Sequence, residues 1–524
     1  MLNLIPAPLK CLDGSGYFVF KDDLKVKSDF DLPLLELERA DDGRLIIKKD
    51  DSQPQEGYVL DITQECITIT ASTETGAYYA LQSLRQISSY EFGKRRVNCC
   101  RITDRPSFKW RGLQLDESRH FFGKEEVKRL LDMMFMMKLN VFHWHLTDDQ
   151  GWRVEIKKYP LLTEIGSVRQ STQINGWQSK DVVEEEYSGY YTREDIAEIV
   201  DYADKRGIMI VPEIDFPAHS AAEIAAYPKL ACRELDRGVP GYFGSSIPER
   251  VLGIKDWNRT ICVGREENIQ FVFDVIDEIC EMFPAPYFHI GGDEAPKDEW
   301  KKCPHCQKVI KENNLKNEED LQGWFNNRVL EHLKSKGKRL IGWNEILKAG
   351  NLDKSAIIQY WTPKRDKNAE NHANSGGDII LSNHQAFYFD MTYAQYPLTN
   401  TYNYSPVKYG VNEENISNVL GIEGELWTEW IDGREKLDLQ TYPRMQALAE
   451  AAWSDDANKN WKDFKSRLDR FKPYYSLLGI NYAVDKVSLI KNPFKRADIQ
   501  RKFYICDTHY EVKLNKKYKA KGEK

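Results

Sequence analysis

Pro286-Tyr287-Phe288-His289-Ile290-Gly291-Gly292-Asp293-Glu294 joins a short apolar run to two glycines and two adjacent carboxylates. Its aromatic and β-branched residues suit a buried parallel strand over Pro286 to Gly291, and the glycines let backbone or ligand approach closely where the strand stops. The carboxylates then arrive at the strand's end, where a cleft would lie. Consecutive side chains on an extended segment point in opposite directions, so Asp293 and Glu294 are expected to do different jobs. The plain alternative is a solvated loop end, because most adjacent Asp-Glu pairs are surface charge.

Outward from this segment, seven more apolar runs read as strands: Arg111 to Leu115, Asn140 to His145, Ile208 to Glu213, Arg339 to Trp343, Ala356 to Trp361, Asp378 to Ser382 and Val419 to Leu426. Between most of them lie stretches with i, i+3, i+4 apolar spacing: Lys124 to Lys138, Arg193 to Arg206, Glu266 to Phe283, Leu321 to Lys336 and Tyr442 to Trp453. Eight strands alternating with helices fit a (β/α)8 TIM barrel with long loops better than a doubly wound sheet. Before the barrel, alternation over Cys66 to Thr70 and a helical pattern over Gly76 to Ile87 indicate a small α/β domain. The expected organisation is an α/β N-terminal domain over 1–103, the catalytic barrel over 104–456, and a C-terminal helical extension over 457–524. That extension opens with an amphipathic stretch from Trp461 to Leu478. It ends in a Lys-rich tail, Lys513 to Lys524, expected to be disordered.

The chain has 524 residues, 41% hydrophobic and 30% charged, enough for a large core. A net charge of -7 offers no general basic field, which argues against nucleic acid as the main partner. Trp (13) and Tyr (27) are plentiful, and several Trp fall at predicted strand ends, where sugar faces could stack on them. Nothing near Met1 resembles a signal peptide, no run is long enough to span a bilayer, and the ten Cys lack the dense spacing of a disulfide-stapled secreted domain. The expectation is therefore a cytoplasmic protein with no membrane span. A secreted or periplasmic protein without its signal peptide is the alternative.

In a (β/α)8 barrel the loops after the strands build the site. Here the strand ends carry Asp116 and Arg119-His120, then His143, His145, Asp148 and Asp149, then Glu213, Asp215 and His219, then Asp293 and Glu294. The later strands add Trp343-Asn344-Glu345, Trp361, Tyr388 and Asp390, and finally Trp427 and Glu429. A ring of carboxylates and aromatics with one Arg suits a hydroxyl-rich ligand stacked on rings. These residues, with the Pro212-Glu213-Ile214-Asp215-Phe216-Pro217-Ala218-His219 segment, resemble glycoside hydrolase family 20, the β-N-acetylhexosaminidases, over the N-terminal domain and the whole barrel.

The resemblance implies a retaining, substrate-assisted hydrolysis of terminal β-linked GlcNAc or GalNAc from an oligosaccharide or glycoconjugate, through an oxazoline and without cofactor or metal. It makes Glu294 the acid and base, Asp293 the partner of the sugar's acetamide N–H, and Tyr388 the donor to the acetamide carbonyl. Arg119 and Glu429 would bind ring hydroxyls, Trp427 would stack beneath the sugar, and Trp343 and Trp361 would wall the acetamide methyl. Asp390 would support this shell, and Asp215 and His219 would form a polar relay beside Glu294. The sugar preference would be decided by loop shape, chiefly in the long insertions Asn175 to Tyr190 and Leu230 to Thr260.

Two metal readings compete. His143 and His145 share one face of a strand, as ligands would, but strands five and six offer Trp343 and Trp361 where further ligands are needed. Core or supporting histidines explain the pair better. Cys303-Pro304-His305-Cys306 could hold zinc, yet no second Cys pair with finger spacing follows, and a turn with free thiols is the commoner case.

Overall fold

The computed structural model describes residues 2–91, 93–176, 179–234, 237–243, 259–362, 364–505 and 507–522. Parts of both long insertions, residues 177–178, 235–236 and 244–258, lie outside these described residues.

The N-terminal region forms a mixed seven-stranded sheet. Its longest members, Lys10–Val19 and Lys94–Asp104, pair antiparallel at one side, and Tyr58–Ile62 and Ile67–Ala71 lie further in. These last two strands bury every second residue, the period of a sheet with one covered face. The cover is the helix Glu74–Ile87, started by Thr73, whose side chain accepts from the Gly76 N–H, and burying Ala77, Tyr79, Ala80 and Leu84.

All eight predicted strands form one closed parallel barrel: Trp110–Asp116, Val141–His145, Met209–Glu213, Tyr287–His289, Arg339–Trp343, Ile357–Tyr360, Ile379–Leu381 and Val419–Gly424. The last pairs with the first, Ile422 opposite Arg111, which closes the ring in sequence order. Buried on both faces, these strands read as continuous apolar runs because helices cover the outside. The barrel's lower interior is packed by Trp110, Val141, Val211, Ile341, Ile357 and Ile380.

Above that layer the interior turns polar. Glu213 lies 2.5 Å from His145 Nδ1, 3.0 Å from His289 Nδ1 and 3.1 Å from His143 Nε2, and it accepts from Trp343 Nε1 at 2.8 Å. His143 Nδ1 is 2.7 Å from Glu423 Oε1. His143 and His145 are thus held against buried carboxylates at the floor of the site.

The C-terminal residues pack against the rest. In the helix Trp461–Leu477, Arg467 pairs with Glu450 of the last barrel helix at 2.5 Å and donates to the Leu4 carbonyl at 2.8 Å. The Lys-rich tail departs from expectation: Tyr510–Ala520 is helical. Val512 is buried with Tyr393, Leu439, Val484 and Val487, and Asn515 donates to the Tyr482 carbonyl and accepts from the Val484 N–H. A few apolar and amide anchors among the lysines are enough to dock it. No described helix is long and apolar enough to cross a membrane.

Candidate active site

The strand that carries the acid pair stops at His289, earlier than its composition suggests. Gly291, Gly292 and Glu294 then take left-handed backbone conformations, with φ of 63°, 89° and 46°. Gly291 is required twice over, by this φ and because a Cβ there would lie 2.0 Å from Asp215 Oδ1. The tight turn divides the two carboxylates. Asp293 is largely buried, its side chain 16% exposed, while that of Glu294 is 54% exposed.

His219, itself left-handed with φ 51°, places Nε2 3.8 Å from both Asp293 Oδ2 and Glu294 Oε2. Its Nδ1 is 3.1 Å from Asp148 Oδ1. His219 is thus hydrogen-bonded to Asp148, while Asp215, expected to share the relay, acts on the ring through its charge. Asp215 serves the turn: its Oδ1 accepts from the Gly292 N–H at 3.1 Å, and its own N–H donates to Thr147 Oγ1. Burial, with Asp293 beside it, raises the Asp215 carboxyl well above the usual range.

Burial disfavours charge on the His219 ring, yet Asp148, Asp293 and Asp215 outweigh it and hold the ring well above the ordinary histidine range. Burial likewise pushes the Asp293 carboxyl up to about 7, opposed by His219 and assisted by Glu345 and Glu294.

Arg119 anchors a second group. Its guanidinium lies 3.0 Å from Asp116 Oδ2 and 2.6 Å from Asp148 Oδ2, with Nε donating to Gln150. It also sits 5.3 Å from the centre of the Trp427 ring. Against the effect of burial, Arg119 lowers Asp148 well below the carboxylate range. Burial raises Glu429 against the pull of Arg119, and raises Asp390 further with Glu429 adding.

Aromatic rings complete the enclosure. Tyr388 stacks on Trp361 at 5.7 Å and lies 6.3 Å from Trp427, which is 5.8 Å from Trp343. Trp361 is oriented by Nε1 donating to Glu345 Oε2 at 2.8 Å. Burial, with Glu425, Asp390 and Asp293, keeps the Tyr388 hydroxyl protonated well beyond its ordinary range.

The arrangement brings all eleven predicted residues to one end of the barrel. Among the described residues, buried Asp293 Oδ1, Asp390 Oδ1 and His219 Nε2 have no hydrogen-bond partner. Buried polar atoms are normally paired, so three such atoms on the walls of one site could each take a ligand's hydrogen bond. Sequence reasoning assigns no role to Asp148 or Glu345, although both lie at strand ends. Their signal is position, three residues after His145 and two after Trp343, and only the folded loops show which side chain each one holds.

Comparison with known proteins agrees with this geometry. Residues 108–456 match the glycosyl hydrolase family 20 catalytic domain, and residues 1–105 match domain 2 of the same family. A β-hexosaminidase of Porphyromonas gingivalis is 36% identical over 92% of the chain and 64% of its own length, so the chain spans less than two thirds of that relative. The exo-β-N-acetylglucosaminidase of Vibrio harveyi, solved with N-acetylglucosamine, superposes with a TM-score of 0.81 at 31% identity, covering 94% of this chain and 79% of that one. The β-N-acetylhexosaminidase of Bacteroides fragilis gives 0.78 at 31% identity, covering 92% and 97%. With a barrel closed by all eight strands, the acid pair at the end of the fourth and both family domains matched in order, this chain belongs to glycosyl hydrolase family 20.

Proposed function

We propose that this chain is a retaining exo-β-N-acetylhexosaminidase, removing terminal non-reducing β-linked GlcNAc or GalNAc from oligosaccharides or glycoconjugates by substrate-assisted catalysis. The observation that carries the reading is the unequal carboxylate pair: Asp293 buried with Oδ1 unpartnered among the described residues, Glu294 more than half exposed, and one His219 nitrogen 3.8 Å from both.

In the first step the acetamido carbonyl oxygen at C2 bonds to the anomeric carbon as the glycosidic C–O bond breaks and Glu294 gives its proton to the departing oxygen. The product is an oxazolinium ion. Glu294, now a carboxylate, takes a proton from water as that water opens the ring with retention. Asp293 accepts the acetamide N–H and opposes the developing positive charge. A carboxylate in a dry site does this far better than one in water, because its field is not screened and it needs no reorganisation. Its elevated pKa fits that demand, since the cation formed during reaction favours the ionised carboxylate more than the neutral substrate does.

Tyr388, kept protonated, donates to the acetamide carbonyl and holds it for attack. Trp343 and Trp361 confine the acetamide methyl, Trp427 stacks beneath the sugar, Arg119 and Glu429 bind its hydroxyls, and Asp390 supports them. Release of nitrophenol from aryl β-GlcNAc, β-GalNAc and β-glucoside substrates tests the reading. Turnover is expected only where the acetamide is present, with strong inhibition by a thiazoline mimic of the oxazoline. Comparable cleavage of the glucoside, or indifference to the thiazoline, refutes it.

A further inference from the structure

Behind the loop that carries Glu294, four cysteines from three separate places in the chain converge. Cys262 Sγ lies 3.6 Å from Cys303 Sγ and 3.8 Å from Cys306 Sγ, and Cys232 Sγ lies 3.8 Å from Cys306 Sγ. One sulfur from each of the four fits within 4.8 Å of all the others, and Cys262, Cys303 and Cys306 are buried. From these positions we propose that Cys232, Cys262, Cys303 and Cys306 form a structural zinc site.

Geometry separates this reading from its rivals. A disulfide holds its sulfurs about 2.05 Å apart and gives each sulfur one partner. Here Cys262 has two sulfur neighbours at nearly equal and much longer separations. Four thiolates about 2.3 Å from a central zinc form a tetrahedron whose edges are about 3.8 Å, close to the three shortest separations here, with the other three within 4.8 Å. Soft, tetrahedral, all-sulfur coordination selects zinc or iron among biological cations. The set leaves no open coordination position, which is the mark of a structural site and excludes this metal from the hydrolysis.

The surrounding backbone is built for the cluster. Cys303 stands at the N-cap of the helix Pro304–Glu312 and Cys306 in its first turn, so the backbone holds the two one turn apart. Gly264 passes so close that a Cβ there would lie 2.3 Å from the Cys306 amide nitrogen, bringing the segment after Cys262 against that turn. Cys232 and Cys262 mark the neck of the insertion after the third strand. There Ala231 and Ile261 form an antiparallel bridge, and the Cys262 N–H donates to the Leu230 carbonyl at 2.7 Å.

The neck also holds the catalytic loops from behind. The Ile261 N–H donates to the Pro217 carbonyl, just before His219, and the Ile261 carbonyl accepts from Trp300 Nε1, just after Glu294. The metal would therefore pin the root of the insertion and both loops in one place. Its loss should loosen the site without removing any reacting group.

The test is metal analysis of the full chain, expressed in zinc-replete medium without a metal-binding tag. About one zinc per chain is expected, released in step with titration of the thiols by a mercurial. Reconstituting the metal-free protein with cobalt should give the strong visible bands of a tetrahedral tetrathiolate. The Cys303→Ser/Cys306→Ser variant should lose the zinc and melt earlier, and the cobalt spectrum of the wild-type chain decides the matter should that variant fail to fold. Negligible zinc, one equivalent of iron in its place, full zinc retention by the double variant, or peptide mapping that finds these cysteines joined as disulfides would each overturn the proposal. None of these readouts depends on the substrate.

Discussion

His219→Gln tests the electrostatics of the site directly. The substitution keeps a polar side chain while deleting a positive charge 3.8 Å from the Asp293 carboxylate. At that distance Coulomb's law gives about 4 kcal/mol at an effective dielectric of about 20, and about 1 kcal/mol in bulk water. One pH unit corresponds to about 1.4 kcal/mol, and Asp293 is buried, so its pKa should rise by about one to three units. The starting point is a carboxyl already pushed up to about 7 by burial. In the proposed mechanism only the ionised form balances the oxazolinium charge, so kcat/KM should fall as pH drops through the free enzyme's Asp293 pKa. Removing the cation moves that acid limb upward. Near pH 6 the variant should be about ten- to a thousandfold slower than wild type, with the gap closing as pH rises. A pH series with an aryl β-GlcNAc substrate reads this out. If the variant loses activity by the same factor at every pH, His219 does not act on Asp293 through charge and the argument fails.

Other consequences are sharper in outcome. Glu294→Gln should cut kcat by at least about a thousandfold while ligand binding, followed by calorimetry with GlcNAc, stays near wild type, and equal turnover would leave only a sugar-binding role. Gly291→Ala should cost at least about 2 kcal/mol, because a left-handed alanine is strained and its Cβ would meet the Asp215 carboxylate; an unchanged thermal midpoint would contradict the turn described above. Trp361→Phe removes the donor to Glu345 and loosens the ring stacked on Tyr388, so KM should rise about tenfold with a smaller change in kcat. Arg467→Met leaves Glu450 buried without its partner and should cost about 3 to 5 kcal/mol, while Arg467→Met/Glu450→Met should recover most of the lost melting temperature.

The barrel is legible in the sequence because each strand is a short, bounded apolar run and each helix carries a stripe, both local patterns. Residues at strand ends are legible for the same reason, since the fold puts them all on one face. Pairings between loops are not. Nothing near His219 in sequence says that its ring reaches Asp148 from the second strand instead of Asp215 four residues away. The cysteines make the same point: a search downstream of Cys303 and Cys306 misses Cys232 and Cys262, which lie upstream at the two sides of an insertion's neck. The tail helix escapes a reading by composition because a few anchors, Val512 and Asn515 among them, override the lysines.

The acid pair is separated for a reason other than the one its sequence suggests. Alternation along an extended strand would send Asp293 and Glu294 to opposite sides, but the strand has ended at His289 before either is reached. What separates them is the turn, with left-handed residues at 291, 292 and 294, held by the Asp215 bond to the Gly292 N–H. Alternation would cost nothing and would tolerate many residues before the acids. A left-handed turn packed against a carboxylate tolerates only glycine at 291, and it fixes Asp293 in low dielectric while Glu294 remains near water. The unequal burial of the two acids therefore depends on the two glycines as much as on the carboxylates themselves. Any change that lets the strand run on past His289 should disturb both roles at once.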